Sequence, residues 1–171
     1  MALAFRFLSV APVVRKLDGR LVARSSVKGL LLNLGARWCR VVVDPREQCV
    51  TVHRRLGWVY GHTRHIPFKR ILAVTYGYHN ESWSHMWSWA HDSFDVFTVG
   101  LRVAAQGQRP DDVHLFHFFG EGTFVNDGPL PDWWYWSEYL TDLAGTQDSE
   151  SRRFVDLLSK MTGAPVDTTS A

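Results

Sequence analysis

The chain has little of what would mark a covalent scaffold, a membrane span or a familiar catalyst. It carries two cysteines in 171 residues, which excludes a disulfide-stapled domain, and there is no CxxC pair to build a zinc or redox motif. No run reaches the roughly 18 apolar residues of a membrane-crossing helix. The N-terminus, MALAFRFLSVAPVVRK, holds Arg6 inside its apolar stretch and has no basic region ahead of it, so it makes a poor signal peptide. A soluble, cytoplasmic protein without a transmembrane segment is expected. GxSxG, the P-loop, GxGxxG and HExxH are all missing, so the best-marked nucleophile, nucleotide and zinc-protease chemistries have no foothold. The expectation is a non-enzymatic protein with no cofactor. Acid is also absent over a long stretch: Gln48 to Asn80 contains no Asp or Glu, yet holds Arg54, Arg55, Arg64, Lys69, Arg70 and four histidines.

That gap belongs to a wider sorting of charge. Residues 1–80 carry 14 Lys and Arg against 3 acids, and residues 81–171 carry 5 against 14, although the whole chain sums to only +2. Such asymmetry predicts a polarised surface and an anionic or complementary partner. It bears on association rather than on chemistry.

At this length one domain can bury roughly 70% of its unfolded surface without staples, and hydrophobic residues at 46% with charged residues at 21% are ordinary for a globular chain. From Trp38 onward the pattern is that of strands: WCRVVVD, QCVTVHR, the stretch through Gly57 to Ile66, RILAVTYGYH, FDVFTVGLRVAA and VHLFHFF. GTFV adds a short seventh, with Gly120-Glu121-Gly122 read as a hairpin turn. Pairing Val43 with Val50 and Val41 with Val52 around Asp44-Pro45-Arg46-Glu47 puts the valines on one face. The same register sets Cys39 opposite Arg54, too far from Cys49 to bridge.

The period changes at the C-terminus. Phe154, Leu157, Leu158 and Met161 recur at helical spacing, with Ser149 placed to cap and Gly163 and Pro165 to stop a helix over 149–163. Asp132 is placed to cap another ahead of WWYWSEYLTDLAG. Residues 1–37 form an N-terminal extension, a hairpin at Leu17-Asp18-Gly19-Arg20 or a short helix; 38–125 form the strand core; 80–92 and 126–145 are Trp-rich insertions. All belong to a single domain, 1–171.

The run RVVVDPREQCVTVHRRLGW…IPFKRILAVTYGY, the alternating FTVGLRV and HLFHFF, and RRFVDLLSKMTGAPV together resemble the bacterial pleckstrin-homology-like domains. The resemblance covers about 38–125 and 149–166 and lies in pattern rather than in signature residues. It implies an α+β, mainly antiparallel fold, a barrel or sandwich of six to seven strands closed by a C-terminal amphipathic helix. Eukaryotic pleckstrin-homology domains take phosphoinositides between their first strands. Here the corresponding loop, DPREQ, is tight and flanked only by Arg40 and Arg46, which argues against a specific inositol phosphate pocket.

Three functional readings follow. The leading one is a binding module that recognises a protein or peptide, homo-oligomerisation being one version, through Trp83, Trp87, Trp89, Trp133, Trp134 and Trp136 and the polarised surface. Indoles suit surfaces that are half dry and half wet, but half of these side chains are as readily assigned to a local core. A second reading places a small-ligand or metal-dependent site at His85, His91 and Asp92. His62 with His65 is another ligand pair, whereas His114 and His117 are expected on opposite sides of their strand. The third is electrostatic attachment to an anionic membrane through the basic face Arg54, Arg55, Arg64, Lys69 and Arg70, each basic residue near a bilayer being worth about 1 kcal/mol. Nucleic acid is disfavoured by the acidic half and the small net charge.

Overall fold

The computed structural model describes residues 12–26, 37–57, 59–84, 90–105, 109–126 and 147–170. Nine strands and one α-helix are found among them. The strands β1 (Val13–Leu17), β2 (Arg20–Arg24), β3 (Arg37–Asp44), β4 (Cys49–Leu56) and β5 (Tyr60–Pro67) run as an antiparallel meander, one five-stranded sheet in chain order. A 3-10 turn, Phe68–Arg70, leads to β6 (Ile71–Ser84), β7 (Ala90–Val103) and β8 (Asp111–Asn126); after helix α1 (Asp148–Thr162) the chain adds β9 (Val166–Ser170). The second sheet has the order β8-β7-β6-β9, with β9 parallel to β6 and the rest antiparallel.

The coarse class is therefore α+β and mainly antiparallel, with a C-terminal helix. Two details of the expectation are corrected: the sheets do not close into a barrel, and the described residues hold nine strands rather than six or seven. The surplus comes from both ends of the chain. Leu17-Asp18-Gly19-Arg20 turns β1 into β2, with Asp18 and Gly19 both at positive φ, and β9 follows the helix because Val74 donates its N–H to the Pro165 carbonyl at 2.8 Å and starts the parallel ladder.

Alternation sets the core. Val41, Val43, Val50, Val52 and Ile66 are almost wholly buried, while their neighbours Arg40, Thr51, His53 and His65 face outward. The observed register pairs Val43 with Val50, Val41 with Val52 and Cys39 with Arg54, and the two cysteines are not bridged. At the β3–β4 turn, Asp44 Oδ1 accepts from the N–H of Arg46 at 2.9 Å and of Glu47 at 3.4 Å, while Arg20 pairs with Oδ2 at 2.5 Å. Burial alone would raise this carboxyl, but the two N–H donors and the Arg20 guanidinium together hold it below the usual range.

Helix α1 closes one side of the core with Phe154, Val155 and Leu158. Phe154 meets Phe116 edge-on at 5.8 Å and Phe118 at 6.1 Å. Gln147, not Ser149, is its N-cap, and Gly163 ends it in the left-handed conformation at φ 71°. Tyr76 reaches the helix, its hydroxyl 2.9 Å from that of the buried Ser151.

The second sheet departs further from the sequence pattern. Asn80–Ser84 and Ala90–Asp92, expected as a break, continue β6 and β7, and Asn80–Ser84 pairs with His91–Asp95. Gly120-Glu121-Gly122 is not a turn: β8 runs through it to Asn126, irregular opposite Asp95. A Cβ at Gly120 would come within 2.7 Å of Asp95 Cβ, which is why this crowded crossing uses glycine.

Candidate anion-docking face

The outer face of the five-stranded sheet is built from strand register. Val13, Arg24, Arg40, His53 and Thr63 lie side by side across all five strands, and the next outward row is Arg15, Val22, Val42, Thr51 and His65. On the other side of the first row, Trp38 faces Arg55 and Arg55 faces Gly61. These rows bring Arg15, Arg24, Arg40 and Arg55 onto one surface with His53 and His65, and no carboxylate occurs in them. Within strands β1–β5 the single acid is Asp44, which sits at the β3–β4 turn in its pair with Arg20.

Arg24 and Arg40 are exposed and directly opposite. Like charges so placed destabilise a sheet, by roughly 0.2–1 kcal/mol on the scale of cross-strand pairs. Folding alone gives no reason to place them there. Beside them, His53 Nδ1 lies 2.8 Å from Thr63 Oγ1 and His65 Nδ1 lies 3.1 Å from Thr51 Oγ1, so both imidazoles are fixed on the sheet by cross-strand hydroxyls.

The residues proposed from sequence as one basic face are distributed. Arg55 is on the outer face, and Arg54 lies on the opposite phase, across from His62. Arg64 is half-buried and pairs with Asp111 of β8 at 2.7 Å, joining the two sheets. Lys69 is exposed on the 3-10 turn, and Arg70 donates from Nε and Nη2 to the Ala104 carbonyl at 3.1 and 2.6 Å, a clamp between that turn and the end of β7. Arg15, Arg24 and Arg40, the centre of the face, were not singled out by spacing. Their convergence depends on the β2–β3 pairing, whose connection lies in the stretch of chain with the weakest pattern.

The other sequence candidates fare differently. Trp87, Trp89, Trp133, Trp134, Trp136 and His85 lie outside the described residues, as does the helix expected after Asp132. Trp83 pairs in register with Asp92, and Ser84 with His91. His62 and His65 fall on opposite phases of β5 and do not converge. The reverse holds for His114 and His117, expected apart: an extra residue in β8, Leu115, sits where Val99 and Gly100 face Phe116 and His114, and this bulge brings the two imidazoles to 4.0 Å between ring centroids. Among the described residues no three His, Cys, Asp or Glu side chains gather around a metal-sized space. A groove of about 750 Å³ runs between β1 and α1, floored by Val14, Phe154 and Leu157, with Glu150, Arg153 and Lys160 on its rim; both signs of charge border it.

Among the described residues, most ion pairs stay within one half of the chain. Arg20–Asp44 stays within the basic half, and Arg102–Asp112, Arg102–Asp167 and Arg152–Asp148 stay within the acidic half; Arg64–Asp111 bridges them. Comparison with known proteins adds no identity to this geometry: no family model, no curated protein and no solved structure matches the chain.

Proposed function

We propose that this chain is a non-enzymatic binding module of pleckstrin-homology-like type that attaches to an anionic membrane surface through the outer face of its five-stranded sheet. The order of strand meander, second meander and helix supports the family reading. The opposed Arg24 and Arg40, in strand rows that hold no carboxylate, carry the functional one. Guanidinium groups spread over several strands of a sheet suit a plane of phosphates better than a single small anion. Attachment of this kind is reversible and screened by salt. The unbridged Cys39 and Cys49 suit a cytoplasmic setting. Recognition of a protein through the tryptophan segments has no comparable observation among the described residues.

The test is vesicle sedimentation of the full chain with phosphatidylcholine alone and with about 30% phosphatidylserine, from about 50 to about 500 mM salt. Binding is expected only to the acidic vesicles and is lost at high salt. Arg24→Glu/Arg40→Glu, which reverses two charges each worth about 1 kcal/mol at a bilayer, is expected to weaken it about a hundredfold or more. Equal binding to neutral vesicles, an unaffected double variant, or preference for single-stranded nucleic acid over vesicles would overturn the proposal.

A further inference from the structure

The β4–β5 hairpin does not end where the core ends. Val52, 2% exposed, and the half-buried Arg64 opposite it form the last row covered by the rest of the fold. Beyond them the same phase continues with Arg54 opposite His62 and Leu56 opposite Tyr60. Leu56 is thus four residues past Val52, an overhang of about 13 Å at about 3.3 Å per residue. Leu56 is 64% exposed, Val59 96% and Tyr60 71%, so this tip contributes apolar surface to water and nothing to the core. Gly57, at φ 65°, starts the turn.

Resting on the membrane reading above, we infer that this tip is a wedge that enters the interfacial zone of the bilayer. Three features on the molecule fit a bilayer rather than a protein cleft. The apolar residues are confined to the end of a hairpin, and exposed basic or imidazole side chains of Arg54, Arg55 and His62 collar its base. The sequence around it, Gln48 to Asn80, is free of acid. The Arg24–Arg40–His53 row lies one row from Arg55, on the tip side of the sheet. In a tilted pose the collar and that row meet the phosphates while Leu56 and Val59 pass below them. Interfacial segments bury their apolar face about 5–10 Å deep, within the overhang, and Tyr60 has the amphipathic ring that settles at headgroup level.

The experiment uses an environment-sensitive fluorophore on Val59→Cys, or on Arg46→Cys at the far end of the same hairpin pair, in a chain with Cys39→Ala and Cys49→Ala. With vesicles containing phosphatidylserine, the probe at 59 is expected to shift to the blue and to be quenched by brominated acyl chains; the probe at 46 is expected to do neither. Leu56→Ser/Val59→Ser should reduce affinity about tenfold or more, from loss of apolar burial, and should leave Tm unchanged because neither side chain packs. Vesicle binding that persists with a silent probe at 59 and an unaffected serine variant overturns the wedge while the electrostatic face stands. Loss of all vesicle binding by the wild-type chain overturns both.

Discussion

The two sheets use charge in opposite ways. On the outer face of the five-stranded sheet, guanidinium groups are set against each other, Arg24 facing Arg40 with imidazoles alongside. In the second sheet Arg102 on β7 is held by Asp112 of β8 and by Asp167 of β9, which ties the parallel edge strand to β7 across β6. Tyr78 and Asn80 of β6 both donate to Asp95 Oδ1 of β7, at 3.0 and 3.1 Å. Charge in the second sheet is spent internally, between strands. In the first it is left facing outward, where it costs stability and is available to a partner. A sheet that keeps like charges opposed is one whose surface has been shaped by something other than folding.

The contrast presupposes that both sheets share one core, and the largest effect tests that. Phe154 is 1% exposed, and the buried cluster around it draws on both sheets. Phe154→Ala removes the ring that Phe116 and Phe118 pack against and is expected to cost about 3–5 kcal/mol. Denaturation followed by far-UV circular dichroism and by vesicle binding should move together. Separate transitions would show that the five-stranded sheet stands without the other and would break the comparison at its base.

A smaller effect sharpens it, because the two sheets predict opposite signs. Arg24→Gln relieves the repulsion with Arg40 and should raise stability by a few tenths of a kcal/mol up to about 1 kcal/mol, while weakening binding to acidic vesicles. Arg102→Gln removes the link to Asp112 and Asp167, so it should lower Tm and leave vesicle affinity as it is. Matched denaturation and sedimentation on the two variants check both signs. A fall in stability for Arg24→Gln would mean that this side chain serves the fold as Arg102 does.

Strand content was legible where a residue's neighbours in sequence fix its environment. The β3–β4 hairpin is the example: alternating valines select one register, and Asp44 makes the turn with its own side chain. The same logic failed in β8, where Val113, Leu115, Phe116, Phe118 and Phe119 are all buried. The adjacent apolar pairs in VHLFHFF were the visible sign of a bulge, and strict alternation passed over them. Strand β9 had no sign at all. VDTTS is polar and short, and it becomes a strand because β6 offers an edge to its backbone. The candidate face was half legible: the shortage of acid pointed to the right part of the chain, but the residues at its centre meet only through β2–β3 pairing, a contact that no local pattern specifies.

Asp44 is the place where the first sheet uses charge as the second does, and it gives the smallest and most specific prediction. Its carboxyl is held below the ordinary range despite burial, by the N–H groups of Arg46 and Glu47 and by Arg20. A carboxyl whose folded-state pKa is depressed contributes stability that is fully present above its unfolded value, near 3.8, and that is lost as pH falls through the folded value. Asp44→Asn keeps an oxygen able to accept from the turn but gives up the charge that Arg20 pairs with. At pH 7 the variant is therefore less stable than the wild type. As pH falls through the depressed folded value the wild-type carboxylate takes up its proton, Arg20 is then without a counter-charge in both proteins, and the gap between their urea midpoints should close. A gap that stays constant into acid would mean that Asp44 holds the β3–β4 turn by hydrogen bonding alone, with no contribution from its pair with Arg20.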